Sequence, residues 1–189
     1  MKQTLEHALW RIASNPEDYQ ILCYGLEQCF FYAVYFLSAI VCGLLWGEVP
    51  FVLLLYCGLF LLRPYGGGYH ADTKAGCFCI STAVLHFAAA GKSFLFLPSP
   101  AVFFLCACSL LILWFWGPVE NPIHPLKSEE RRKYAKKGRL LACTYALLAV
   151  AGVFFQGRVL CEAAASALIL TAISMAAGKK KYAKGGRSD

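Results

Sequence analysis

The chain has 189 residues, 59% hydrophobic and 15% charged, whereas an average soluble domain carries roughly 25% charge. Its net charge is +7, but the basic residues sit in a few connectors between apolar blocks, which points to a membrane lipid surface and away from nucleic acid. A water-soluble fold of this size would have to hide several uncharged stretches of near-spanning length, so the composition predicts an all-α, polytopic integral membrane protein with residues 1–189 as one membrane-embedded domain.

In residues 1–20, Leu5, Ala8, Leu9 and Ile12 recur at helical spacing, with Lys2, Glu6, Arg11 and Glu17 elsewhere. This segment lacks the compact apolar run of a signal peptide. It fits an amphipathic helix on the membrane surface, or a soluble cap. Six apolar runs follow, at residues 29–46, 49–62, 77–90, 101–117, 140–156 and 159–177. A spanning helix needs about 20 such residues. The first run extends back towards Ile21 and the third towards Leu97, while the second is short enough to read as a half-span. With a cytoplasmic N-terminus, 16 of the 18 Lys and Arg residues fall on the inside and only Lys92 and Arg158 outside. The positive-inside rule therefore supports six spans, both termini cytoplasmic, with 91–100 and 157–158 facing outward.

The largest polar insertion is residues 120–139. Pro122 and Pro125 predict an extended or turned start. Ser128, followed by Glu129 and Glu130, predicts the capped start of a short cytoplasmic helix leading into the fifth span. The run Lys179-Lys180-Lys181 reads most simply as a topology determinant. Of the ten cysteines, eight lie in or beside apolar stretches and read as helix packing. No spacing suggests a zinc site, and neither metal nor cofactor is expected.

The unusual segment is Arg63-Pro-Tyr-Gly-Gly-Gly-Tyr-His70-Ala-Asp72-Thr-Lys-Ala-Gly-Cys77-Phe-Cys79, which joins the second and third spans. Gly66, Gly67 and Gly68 break regular structure and let backbone approach a ligand closely. If 70–79 is helical, His70 and Cys77 share a face two turns apart, and Cys79 points the opposite way. A bend near Gly76 or a non-helical start would shorten that gap. A thiol becomes a good nucleophile when a neighbouring imidazole takes its proton, and the same imidazole can later protonate a leaving amine. Asp72 is a candidate to orient His70 as a third member. The bland alternatives are a polar anchor for His70 and packing for Cys77. His7 and His86 read as incidental, and His124 as a weaker acid–base candidate.

With these residues in view, the chain resembles the AgrB family of membrane cysteine peptidases. The resemblance is carried by Arg63, by Gly67-Gly68-Tyr69-His70, by Cys77 seven residues after the His, by Pro118-Val-Glu-Asn-Pro-Ile, and by six apolar segments. It implies a quorum-sensing peptidase of the cell membrane, with its site on the cytoplasmic side. Cys77 would attack the carbonyl that ends the signal segment of an AgrD-like propeptide. His70 would serve as base and then acid, and Arg63, Gly67 and Gly68 would support the site. The acyl-enzyme thioester would pass to a thiol within the peptide, giving a cyclic thiolactone. The resemblance also implies a homodimer, and a propeptide with an acidic tail that Lys133, Lys136 and Lys137 are candidates to dock. The competing class is a non-enzymatic peptide transporter or chaperone. Its path would need intramembrane polar residues, of which the spans hold few: Glu27, His86, Lys92 and Glu162.

Overall fold

The computed structural model describes residues 10–94, 99–120, 126–155 and 157–185. Residues 10–12 are helical, and six long helices follow: α1 (Pro16–Trp46), α2 (Val49–Gly66), α3 (Lys74–Phe94), α4 (Ser99–Trp116), α5 (Ser128–Phe154) and α6 (Arg158–Gly185). Five are long and apolar enough to cross a membrane, and α4 adds a shorter apolar stretch, Pro100–Trp116. The protein is thus all-α and multi-pass, with the count of crossings close to the six expected.

The helix boundaries depart from the apolar runs for local reasons. α1 begins at Pro16, well before the apolar run at 29, because Asn15 caps it. The Asp18 N–H donates to Asn15 Oδ1 at 2.8 Å, and the Ser14 N–H to Asp18 Oδ2 at 3.3 Å, with Pro16 at the first position, where its missing N–H costs nothing. α2 is a complete 18-residue helix rather than a half-span, with Phe51, Val52, Leu55 and Leu62 in the core. α5 is one continuous helix of 27 residues, not a short helix leading into a span. No proline interrupts it, and its start is secured by Glu130, which accepts the Lys127 N–H at 3.1 Å, rather than by a Ser128 cap. α6 runs on through the lysine cluster to Gly185.

The chain divides into two compact units, 1–38 and 39–189. In the first, Trp10 stacks on Tyr19 with ring centroids 4.4 Å apart, and Ser38 Oγ donates to the Tyr35 carbonyl at 2.8 Å. The amphipathic segment expected over 1–20 lies partly outside the described residues; Trp10 and Ile12, within them, are exposed.

In the second unit α6 is the central helix, packed against α2, α4 and α5. Its small side chains make this position available: Ala163, Ala164, Ala165, Ala167 and Ala172 are all buried. Without a hydrophobic drive between helices in lipid, close backbone approach supplies the attraction. Gly58 of α2 meets Ala167 and Tyr145, and Gly152 of α5 meets Cys161, each so closely that a Cβ would overlap its neighbour.

Polar contacts gather at the two ends of this bundle. At one, Lys92 pairs with Glu48 and stands 3.7 Å from Glu162, whose other oxygen accepts Arg158 Nε at 2.7 Å. At the other, the 66–72 segment meets Val119 and the last turns of α6. Successive helices therefore run up and down between these ends, as repeated membrane crossing requires.

Candidate active site

The segment after α2 is held by backbone geometry that glycine alone permits. Gly67 ends the helix with φ 72°, its N–H on the Arg63 carbonyl at 2.9 Å. It also forms an isolated β-bridge with Val119, whose N–H donates to the Gly66 carbonyl at 2.9 Å. Gly68 has φ 140°. A Cβ on Gly67 would overlap the Val119 carbonyl, and one on Gly68 the Ser174 hydroxyl. The glycines thus permit close approach to the protein's own chain.

α6 forms the opposite wall. The Tyr69 N–H donates to the Ser174 carbonyl at 2.9 Å and to Ser174 Oγ at 3.2 Å. Gly178 faces the Gly68 carbonyl, where a Cβ would come within 2.8 Å of the oxygen. Tyr182 OH donates to that same carbonyl at 3.3 Å. From within α2, Arg63 ties the segment to α3: Nη2 donates to the Tyr69 carbonyl and Nη1 to Ser81 Oγ, both at 3.2 Å. A guanidinium can serve two acceptors at once because its donors form a fixed fork.

His70 lies on this non-helical segment and is exposed. The helical face shared by residues 70–79 therefore does not exist, because α3 begins only at Lys74. Thr73 caps it: the Gly76 N–H donates to Thr73 Oγ1 at 3.0 Å, and the Cys77 N–H donates to the Thr73 carbonyl at 3.0 Å. Cys77 thus belongs to the first turn of α3 and is half-buried, while Cys79 is exposed. The positive end of a helix favours negative charge in its first turn.

Asp72 differs from its expected role. Its carboxylate pairs with Lys181 Nζ at 2.5 Å, and among the described residues no side chain hydrogen-bonds the His70 imidazole. The extended start of the segment carries the Asp72 side chain to α6. Lys133 and Lys136 are exposed on α5, whereas Lys137 lies over the Tyr65 ring at 5.6 Å, and Tyr65 in turn meets Tyr134 at 5.5 Å. The basic helix is thereby joined to the Gly-rich segment. His86 is not incidental, since it accepts the Trp46 indole N–H at 3.0 Å. His7 and His124 lie outside the described residues.

Ser174, Gly178 and Tyr182 stand outside the residues the sequence marked as candidates, and Lys181 entered there only as part of a topology-setting run. Their spacing of four, three and one places them along one helical face, and that was the available signal. The lysine run concealed it, being charged and adjacent to an apolar span.

The accessory gene regulator B family model matches residues 5–176. The chain belongs to this family. Protein FsrB of Enterococcus faecalis (strain ATCC 47077 / OG1RF) is 26% identical over 129 residues, which cover 66% of this chain and 51% of FsrB. The chain spans about half the length of that curated relative. No solved structure matches it. In this member of the accessory gene regulator B family, the matched residues include Arg63, the three glycines, His70 and Cys77, and stop before Gly178, Lys181 and Tyr182.

Proposed function

We propose that this protein is a membrane cysteine endopeptidase that removes the C-terminal tail of an AgrD-like quorum-sensing propeptide and passes the signal segment on as a thioester. The observation that carries the proposal is the arrangement about Thr73: an exposed His70 just before the cap, and Cys77 in the first turn just after it. A thiolate formed at Cys77 would lie in the first turn of α3, where the positive end of the helix favours negative charge, and among the described residues no side chain hydrogen-bonds the imidazole on the preceding segment.

In the proposed reaction His70 takes the Cys77 proton, and the thiolate attacks the carbonyl at the end of the signal segment. The C–N bond breaks, and His70 returns the proton to the departing amine. The acyl group, now a thioester on Cys77, transfers to a thiol within the same peptide. One thioester forms as the other breaks, which closes a thiolactone ring and regenerates Cys77. Water would hydrolyse the thioester instead, so a site at the membrane edge suits a reaction that must exclude it.

The 16-to-2 division of Lys and Arg supports a cytoplasmic position for this end of the bundle. The exposed Lys133 and Lys136 near it, with Lys137 on Tyr65, are suited to an acidic peptide tail.

The test is mass spectrometry of the enzyme in vesicles with a propeptide whose ring-forming Cys is changed to Ala. An adduct on the peptide bearing Cys77, released by neutral hydroxylamine and missing in His70→Ala, is expected. Efficient tail cleavage by Cys77→Ala would refute the proposal.

A further inference from the structure

The mechanism leaves Lys181 unused, and Lys181 lies beyond the residues the family model matches. We infer that Lys181 is a positioning residue for His70, holding the backbone that carries the imidazole. The inference rests on the peptidase reading above.

His70 sits in a stretch with no helix or strand to fix it. Upstream, the segment is anchored by the Gly67–Val119 bridge and by Tyr69 on Ser174; downstream, by the Thr73 cap. Between these anchors one side chain reaches in from α6. Lys181 Nζ donates to the His70 carbonyl at 2.8 Å and to Asp72 Oδ1 at 2.5 Å, and it stands 5.0 Å from the centre of the Tyr69 ring. An ammonium has three donors and no acceptor, so it can serve both oxygens together. Holding the His70 carbonyl fixes the peptide plane that follows the His70 Cα, as Arg63 on the Tyr69 carbonyl fixes the plane before it, and the two together set the Cα–Cβ bond from which the imidazole swings.

The geometry also separates this role from a purely structural one. Asp72 is 87% exposed, and exposed ion pairs contribute little to stability. Removing Lys181 should therefore leave a folded, inserted protein. The effect should appear in the reaction, where displacing a reacting group by about 1 Å can cost on the order of a hundredfold. Asp72 on this view is the second hold for the ammonium, not a partner of the imidazole.

The experiment compares Lys181→Met, Lys181→Arg and Asp72→Asn with the full chain in vesicles. Propeptide cleavage gives kcat and KM. Alkylation by iodoacetamide at neutral pH, read by mass spectrometry, gives the reactivity of Cys77 against Cys79, an internal reference on the same peptide. For Lys181→Met, kcat should fall about tenfold or more while KM stays within about twofold. The reactivity advantage of Cys77 over Cys79 should drop towards that of His70→Ala. Lys181→Arg should recover most of both, and Asp72→Asn should lose less than Lys181→Met because the carbonyl contact remains. Lys181→Gln provides the same readouts should the methionine variant insert poorly.

A normal kcat in Lys181→Met would overturn the inference. So would a loss confined to KM, which would make Lys181 a docking cation for the substrate, or a kcat loss with unchanged Cys77 reactivity. Cleavage by Cys77→Ala would instead overturn the peptidase reading itself, so the two failures are distinct.

Discussion

Gly68→Ala tests whether the glycine run exists for the sake of α6. Gly68 has φ 140°, a conformation that L side chains adopt at a cost of about 1–3 kcal/mol. A Cβ there would also overlap Ser174 Oγ, with the Ser174 backbone carbon only 3.2 Å away. Overpacking of this kind costs about 1–3 kcal/mol more. The expected loss is therefore about 2–6 kcal/mol, a large part of the roughly 5–15 kcal/mol of a typical domain. At about 2–4 °C per kcal/mol for a chain of this length, Tm should fall by roughly 4–24 °C. The assay is thermal unfolding in detergent micelles, followed by circular dichroism. Gly25→Ala is the control, because no atom outside its own helix lies within 4 Å of a Cβ there; it should leave Tm unchanged or raise it slightly. Adding Ser174→Ala to Gly68→Ala removes the hydroxyl overlap but not the backbone strain, so it should restore only part of the loss. A Gly68→Ala protein that unfolds with wild-type Tm would refute the packing of this segment on α6.

Cys77→Ala should abolish tail cleavage and Cys79→Ala should retain most of it, since only Cys77 occupies the first turn behind the Thr73 cap; propeptide processing in vesicles decides this, and equal loss in both variants would count against the choice of thiol. Lys92→Met leaves Glu48 and Glu162 without their shared cation and should cost about 1–3 kcal/mol, with Lys92→Met/Glu48→Gln recovering part; the measurement is again unfolding in micelles. A Cys placed at exposed Phe155 should react with an impermeant maleimide from outside the cell, and one at Lys133 only after the membrane is opened; labelling of both from the same side would break the alternation of the bundle. Arg63→Lys should lower activity several-fold although the charge is kept, because an ammonium cannot reproduce the fork that spans Tyr69 O and Ser81 Oγ.

The membrane class, the approximate number of crossings and the Gly-rich connector could all be read from the order of residues. Apolar runs report transfer into lipid directly, and that depends on composition over a window, not on partners. The resemblance to the family was equally visible, since Arg63, Gly67, Gly68, His70 and Cys77, on which it rested, stand close together within one short segment. Extending helical periodicity across 70–79 failed because capping is a local competition that the run of apolar residues does not register. Thr73 supplies the hydroxyl that starts α3, and the residues before it bond to another helix instead.

What only the tertiary structure decided is which groups distant in the chain share the end that carries His70. Gly68 and Ser174 stand 106 positions apart, and nothing near either residue in sequence specifies the other. The alanines of α6 bring its backbone into the centre of the bundle, and only from there does its last turn reach the segment after α2. The lysine run thereby becomes two different things: Lys179 lies over Trp116 at 4.2 Å, while Lys181 holds the His70 carbonyl. Charge along the chain determines the side of the membrane on which such residues fall, because transfer of a cation through lipid is costly wherever it occurs. Their individual partners depend on helix rotation and on contacts closer than a Cβ allows, and those exist only once the bundle has packed.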